Sequence, residues 1–263
     1  MKNLPMQGAF ESIGRRAYIF FGHLYRMWTY AVATVLEVRN VYFYRRQIIH
    51  QLYWIGVESL PLVCLISIFT GMAVSIQTAY QMSDYVPRFM VGSIVVKSTV
   101  LELAPTLMAL VIAGRVGAGI ASEIGTMKVS EQVDALQSLA VDPVGYLMMP
   151  RILGGLIMVP VLVIFSELVG IGGGFAVAVL KMGLSPTDFV KGMRLDFYTY
   201  DVFVGLAKAM SYGTLITFIG SYMGLEAKGG AAGVGAAATT SVVISSSMIL
   251  ISDYFITETL LHI

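Results

Sequence analysis

Five long apolar runs alternate with shorter polar segments along the 263-residue chain. A helix needs about 20 apolar residues to cross a hydrocarbon core about 30 Å thick. Each of the five runs is long enough, so together they predict five membrane-spanning helices. The runs are Gly56–Gln77, Val91–Gly114, Ile152–Leu180, Val202–Tyr222 and Ser241–Leu261.

The stretch before the first run, Ala9–Val38, is also apolar but is interrupted by basic residues and is rich in aromatic ones. This mixture is typical of a helix that lies in the lipid headgroup region. We therefore predict a single domain, in which residues 1–50 form an N-terminal interfacial region and residues 51–263 a five-helix bundle. The alternative is a sixth spanning helix. The opening residues lack the order of a signal peptide.

The composition agrees with an all-α integral membrane protein. Hydrophobic residues make up 57% of the chain and charged residues 13%, whereas soluble domains are about 25% charged. The net charge of +1 indicates no nucleic-acid partner. Cys64 is the only cysteine, which excludes an internal disulfide, and the three histidines are too dispersed for a metal site.

The Gly- and Ala-rich segment Leu225–Thr240 is the one candidate for a phosphate-binding loop. Such a loop ends in Gly-Lys-Ser/Thr, and this segment has no such ending. We interpret it as a flexible cytoplasmic connection. The chain is therefore predicted to bind no cofactor and to have no nucleotide site of its own.

Lysine and arginine are distributed unevenly between the two sides of the predicted bundle. Eleven lie on the side of the N-terminus, among them Lys2, Arg15 and Arg16, and four on the other side. Basic residues accumulate in cytoplasmic loops, so a cytoplasmic N-terminus and a periplasmic C-terminus are expected.

Small residues recur every four positions in several of the predicted helices, which predicts close packing of helices in a compact bundle and favours a dimer. The three files are Ala109, Ala113, Gly117, Ala121 and Gly125; Gly205, Ala209 and Gly213; and Gly170, Gly174 and Ala178.

Charged residues interrupt three of the runs: Glu102 in the second, Lys208 in the fourth and Asp253 in the fifth. A charge at the bilayer centre costs at least about 2.5–3.5 kcal/mol, and such residues face a bundle interior or a water-filled cavity. We expect the three to pair across helices, either as an ion pair that fixes helix register or as the polar lining of a transport cavity. Pro105, near Glu102, predicts a kink.

A charged segment separates the second and third runs. Residues 129, 133, 136 and 140 are apolar and share one helix face, while acidic and polar residues occupy another. Ser130 is a plausible N-cap and Pro143 a stop signal. This pattern predicts an amphipathic cytoplasmic helix of about ten to twelve residues within Lys128–Asp142. It is either a connector or a helix that docks an ATPase through Lys128, Glu131, Gln132, Asp134 and Ser138.

The segment Glu123–Arg151 resembles the signature of the MlaE/YrbE permeases. The shared pattern is Glu-Ile-Gly-x-Met, then Glu-Gln-x-x-Ala-Leu, then Val-Asp-Pro and a Pro-Arg pair. The likeness extends over about residues 50–263. Leu101 and Ala104 stand where the family usually has Arg and Gly.

The resemblance implies a permease that moves lipids between the inner and outer membranes of a bacterium. Such permeases have an interfacial helix and five spans, form homodimers, and bind two cytoplasmic ATPases and a hexameric periplasmic MCE-domain protein; some systems add a STAS-domain protein. The resemblance makes the segment between the second and third spans the coupling helix. It places Glu102, Lys208 and Asp253 beside a phospholipid cavity.

Two other classes of function, a secondary transporter and a lipid-modifying enzyme, fit the sequence less well. A secondary transporter would use Glu102, Lys208 and Asp253 as a proton relay, but the chain has no obvious inverted repeat. A lipid-modifying enzyme would need a nucleophile, base or metal set, and the dispersed histidines supply none.

Overall fold

The computed structural model describes residues 5–82, 87–195 and 197–261, and these are helical with short connections. Lys2 and His262 lie outside the described residues, as do the side chains of Arg15 and Arg16. Besides a short 3₁₀ turn at Val38–Asn40, the described residues form eight helical elements, in order α1 Pro5–Glu37, α2 Arg45–Gln81, α3 Met90–Val129, α4 Gln132–Ser138, α5 Val144–Leu180, α6 Pro186–Leu195, α7 Thr199–Leu225 and α8 Gly230–Leu261.

Five of these elements, α2, α3, α5, α7 and α8, are long and apolar enough to cross a membrane within the described ranges. This confirms the predicted all-α bundle with five spans. The helices are longer than the predicted apolar runs, because turns that contain polar residues continue each helix beyond its apolar stretch. Helix α1 is not among the candidate spans, and its interfacial position stays a prediction.

Helix α1 packs against the end of α7 through polar contacts. The His23 Nδ1 lies 2.7 Å from the Tyr222 hydroxyl, and the Arg26 guanidinium lies 3.3 Å from the Glu226 carboxylate. The N-terminal helix is thereby held at the end of the bundle where α7 turns into α8.

The prediction of a flexible connection over Leu225–Thr240 was wrong. Helix α7 ends at Leu225 and α8 begins at Gly230, so most of the segment is helical. The alanines explain this, since alanine is the strongest helix former. Gly229 and Gly230, with φ of 87° and 72°, make the tight turn that a residue with a side chain resists.

Three of the spans depart from regular α-helix within the described residues, and one of them, α5, begins with a π-helical segment at Val144–Met148. Helix α2 contains a 3₁₀ turn at Val57–Ser59, and α3 contains π-helical segments at Thr99–Leu107 and Ala113–Gly117. Pro105 lies inside the first π-helical segment of α3. Because π-helical turns often occur at functional sites, the side chains of this part of α3 are candidates for a functional site.

The core of the bundle lies between α3, α5 and α7. Met108 and Ile120 of α3, Leu162 of α5, and Tyr212 and Ile216 of α7 are buried in one cluster. All members of the three small-residue files are buried as well. This confirms that the files pack within the bundle, while the dimer stays a prediction.

Backbones touch where glycines face each other. A Cβ added to Gly71 of α2 would collide with the carbonyl group of Gly170 of α5, and Gly155 of α5 has the same relation to Gly213 of α7. Such close approach brings α5 against both α2 and α7 and increases the dispersion contacts that hold helices together in lipid.

Candidate functional site

Lys208 of α7 lies between two carboxylates from two other helices. Its Nζ is 2.6 Å from Glu102 Oε1 of α3 and 2.8 Å from Asp253 Oδ1 of α8. The Lys208 side chain is fully buried, whereas 45% of the Glu102 side chain and 21% of the Asp253 side chain are exposed. The structure thus brings together the three charged residues that the sequence analysis predicted to pair.

The third ammonium proton of Lys208 is directed to the backbone of α3. Its Nζ donates to the carbonyl oxygen of Leu101 at 3.1 Å. In a regular α-helix this carbonyl would accept from the N–H of residue 105, but Pro105 has none. Lys208 therefore supplies this carbonyl with a donor that Pro105 cannot provide, and all three N–H groups of its ammonium have an acceptor.

Two hydroxyl groups that the sequence analysis missed complete the cluster. The Tyr212 hydroxyl donates to Asp253 Oδ1 at 2.7 Å. The Thr106 Oγ1 is 3.2 Å from the same oxygen and 3.4 Å from Glu102 Oε2. A signal for both existed, because Thr106 follows Glu102 by four residues and Tyr212 follows Lys208 by four, which places each pair on one helix face.

The cluster opens into a groove of about 470 Å³ beside the last turns of α8. With two carboxylates and one ammonium, the ionised cluster has a formal charge of −1. The groove walls combine acidic and apolar side chains, so the groove can contact both the polar and the apolar parts of an amphipathic ligand. Its lining residues are Glu102, Leu250, Asp253, Tyr254, Thr257, Glu258 and Leu261.

Three further charged residues inside the spans have other surroundings. Glu58 pairs with Arg115 at 3.2 Å, and Lys97 lies 5.8 Å from the centre of the Tyr198 ring. Glu167 is buried, and its Oε1 has no hydrogen-bond partner within the described part of the chain. The structure assigns neither Lys97 nor Glu167 to the cluster.

The segment between α3 and α5 differs from the predicted helix within Lys128–Asp142. Lys128 belongs to the last turn of α3, and α4 covers only seven residues, Gln132–Ser138. Ser130 is not the N-cap of α4, since its Oγ donates back to the carbonyl of Thr126 at 2.7 Å. Glu131 takes the N-cap position instead, with a left-handed φ of 61° and no side-chain capping bond.

The end of α4 also differs from the prediction. The chain leaves the helix before Ala140, which has a φ of 58°, so Pro143 does not terminate it. The Asp142 carboxylate accepts the backbone N–H groups of Val144 at 3.3 Å and Gly145 at 2.9 Å. Asp142 therefore caps the start of α5, a role that the sequence analysis did not predict.

The face of α4 that packs against the bundle contains fewer residues than predicted. Val133 is 3% exposed, and Leu136 packs against the central core. Val129 and Ala140, which were expected on the same face, are exposed because both lie outside the helix. Two apolar side chains therefore hold the short helix on the bundle.

The outer face of α4 is polar, and several of its side chains form hydrogen bonds or ion pairs within the segment between α3 and α5. Lys128 and Asp134 form an exposed ion pair of 2.7 Å. Gln132 donates to Ser130 Oγ at 3.1 Å, and Ser138 donates to the backbone oxygen of Asp134 at 3.0 Å. Glu131 is exposed beside them. All five predicted docking residues thus lie on or next to α4, and their docking role stays a prediction.

Five apolar spans around a buried charged cluster define a multi-pass helical membrane protein. The profile of a family described as Permease MlaE matches residues 48–259, and the chain belongs to this family of ABC transporter permeases.

Three relatives show how far the likeness extends. The chain is 39% identical over 248 residues to a probable ABC transporter permease protein of Rickettsia felis, covering 94% of this chain and 96% of the relative. It is 40% identical over 212 residues to another such protein of Synechocystis, covering 81% of each. It is 30% identical over 249 residues to the intermembrane phospholipid transport system permease protein MlaE of Haemophilus influenzae, covering 94% and 91%.

Proposed function

We propose that this chain is the membrane subunit of an ATP-driven transporter that moves phospholipids between the inner membrane and the periplasmic side of a bacterial cell, and thereby maintains outer-membrane lipid asymmetry. The observation that carries the proposal is the buried Lys208 between Glu102 and Asp253, at the back of a groove that is partly apolar. The name of the Haemophilus influenzae relative supports phospholipid as the substrate class.

The transporter is assembled from several chains in this proposal. Two copies of the permease form a dimer in the inner membrane, and each binds one copy of a cytoplasmic ABC ATPase that carries ATP and magnesium. A hexameric MCE-domain protein binds on the periplasmic side and receives or delivers the lipid. The N-terminus lies in the cytoplasm and the C-terminus in the periplasm.

The path of coupling runs along α3 in this proposal. The ATPase pushes on α4, which directly follows α3, and α3 carries Glu102 in its first π-helical segment. Glu102 precedes the end of α3 at Val129 by 27 residues, which is roughly 40 Å along a helix. The rest of the first π-helical segment and the whole of the second, Ala113–Gly117, lie between these points and provide places where the helix can shift.

The shift changes what Lys208 contacts. When Glu102 moves away, Lys208 loses its acceptor at 2.6 Å and faces the groove. A lipid phosphate then takes the place of the carboxylate, since it offers a charged acceptor to the same ammonium group. Return of Glu102 displaces the phosphate and releases the lipid.

Reconstitution with the co-purified partner proteins tests the proposal. Labelled phospholipid should move from donor vesicles to the MCE-domain protein, or in the reverse direction, only when ATP is hydrolysed. An uncoupler of the proton gradient should have no effect. Transport that needs no ATP and stops with the uncoupler would instead support the proton-coupled alternative.

A further inference from the structure

A second polar pocket lies at the end of the bundle that carries α4. It has a volume of about 440 Å³ and is bounded by the first turns of α2 and α5 and the last turns of α3. Glu123 of α3 lines it and follows Glu102 by 21 residues, or roughly 30 Å along a helix. The pocket is therefore separate from the groove beside Lys208.

A buried arginine forms one wall of this pocket. Arg151 is 4% exposed. Its guanidinium pairs with Glu123 Oε1 at 2.8 Å and donates to the carbonyl of Leu147 at 2.6 Å. Its Nε has no hydrogen-bond partner within the described part of the chain. A buried N–H without an acceptor is costly, and this one belongs to a residue that lines a pocket.

Two buried amide oxygens in the same pocket lack donors. They are Gln47 Oε1 and Gln51 Oε1, and Gln51 is 7% exposed. Arg46, on the exposed side of the pocket, has no ion-pair partner among the described residues. The pocket is therefore lined by residues that hold unpaired donors and acceptors just beneath its surface, which rotation of the Arg151, Gln47 and Gln51 side chains would bring to a ligand beside Arg46 and the Glu123 carboxylate.

We propose that this pocket binds the headgroup of a phospholipid that carries a primary amine. The phosphate contacts Arg46 and the Nε of Arg151, and the ammonium donates to the two glutamine oxygens and to Glu123. A headgroup without the amine offers at most neutral donors to the amide oxygens, and it would bring a net negative charge close to the Glu123 carboxylate.

The position of the pocket agrees with a lipid ligand rather than a soluble one. Three spans begin or end around it, and its lining residues lie just outside the apolar runs of these spans, on the polar side of the apolar layer where lipid headgroups lie. Basic pockets between spanning helices bind lipid headgroups in this region, and Tyr146 in the lining has the amphipathic ring that is common at the membrane interface. This site goes beyond the proposed function, because it does not include the Lys208 cluster and its occupancy needs no transport.

Photolabelling of the full-length protein in detergent tests the proposal. The probe is a phosphatidylethanolamine with a diazirine close to the glycerol, and labelled peptides are mapped by mass spectrometry. We expect label on Met127 or Tyr146, two residues of the pocket lining. Unlabelled phosphatidylethanolamine should compete, while phosphatidylglycerol and water-soluble glycerophosphoethanolamine should compete much less. Equal competition by phosphatidylglycerol would refute the amine contact, and equal competition by the soluble headgroup would refute a lipid ligand.

Three variants identify the contacts. Arg46→Gln should reduce labelling about tenfold, as expected for the loss of one charge-assisted hydrogen bond. Arg45→Gln removes the same charge one residue away, where Arg45 contacts Tyr42 instead, and should label normally. Gln51→Leu should abolish the preference for the amine headgroup, and Gln47→Leu provides the same test if Gln51→Leu fails to fold. Equal labelling of the Arg46 and Arg45 variants would overturn the proposal, whatever the outcome for ATP-driven transport.

Discussion

Lys208 is the residue on which the charged cluster depends most directly. The free-energy cost of burying its ammonium group is offset by contacts with two carboxylates and the carbonyl of Leu101. Without the ammonium, Glu102 and Asp253 would face each other at short range, and like charges in a shared site repel. The same contacts that stabilise the folded bundle therefore make the bundle sensitive to loss of this one charge.

Replacement of Lys208 tests this dependence. We expect Lys208→Met, which keeps most of the length of the side chain, to reduce the free energy of unfolding by about 1–3 kcal/mol, because it leaves two partly exposed carboxylates without their shared partner. A lower midpoint of thermal unfolding in detergent would show the effect. Adding Asp253→Asn should recover part of the loss by removing the repulsion. A double variant no more stable than Lys208→Met would contradict this explanation.

Glu102 should matter more for transport than for stability. Its side chain is 45% exposed at the groove, so Glu102→Gln should leave the melting midpoint nearly unchanged while reducing ATP-driven lipid transfer more than tenfold. Glu58→Gln is a matched control, since Glu58 also forms one ion pair and is 44% exposed. Similar transfer rates for the two variants would refute a special role for Glu102.

The cluster shows what sequence can and cannot predict about single residues. Glu102, Lys208 and Asp253 were predictable because charges inside apolar runs are costly and need partners. Tyr212 and Thr106 were not singled out, since uncharged polar residues are inexpensive in a spanning helix and carry no such demand. The bond from Lys208 to the backbone of Leu101 depends on the side chain reaching one turn of another helix, which only the fold determines.

At the scale of single elements, α4 is where sequence and structure differ most. Its apolar positions predicted a longer helix, but the chain adopts left-handed conformations at Glu131 and Ala140, with φ of 61° and 58°. Glycine or asparagine usually occupies such positions, and neither residue type is present at these two positions. Only Val133 and Leu136 could be predicted correctly as inward-facing.

Charge reversal on α4 separates a docking helix from a connector. We expect Asp134→Lys and Glu131→Lys to leave the permease folded and in the membrane but to reduce co-purification of the ATPase or uncouple ATP hydrolysis from lipid transfer. Acids at such a contact face basic groups on the partner, and reversal creates repulsion. An exposed residue that faces only water would tolerate the change.

The Lys128–Asp134 ion pair requires its own control, because Asp134→Lys also breaks that pair. The exchange variant Lys128→Asp with Asp134→Lys can restore the pair with its charges swapped. If docking requires the acid at position 134, the exchange variant should bind the ATPase as poorly as Asp134→Lys. Recovery of binding would show that the pair only stabilises the segment. Val133→Asp should instead reduce the amount of folded protein, since Val133 packs on the core.

Close packing of α2 against α5 gives a prediction about glycine. In Gly71→Ala the new methyl group would collide with the backbone of Gly170, and relief requires the two helices to separate. We expect a loss of about 1–3 kcal/mol, as for other overpacked cores. Gly172→Ala on α5 is the control, because its methyl group meets nothing within 4 Å. Equal melting midpoints would contradict the importance of this contact.

At the scale of the whole molecule, the number of spans was the most predictable feature. The thickness of the hydrocarbon layer sets a minimum length for each apolar run, and that constraint acts on each run separately. The arrangement of the spans was not predictable in the same way. Which helices touch depends on glycine pairs such as Gly155 with Gly213, and no feature of one helix identifies its partner.

The orientation of the molecule in the membrane can be tested directly. The uneven distribution of lysine and arginine predicts a cytoplasmic N-terminus, and five spans then place the C-terminus in the periplasm. With this orientation α4 faces the ATPase, and the groove beside the last turns of α8 opens toward the periplasmic side. Alkaline phosphatase fused after α8 should be active, and the same enzyme fused at Lys228, between α7 and α8, should be inactive. Activity of both fusions, or of neither, would rule out a span at α8. The reverse pattern would place α4 in the periplasm, where no ATPase could reach it.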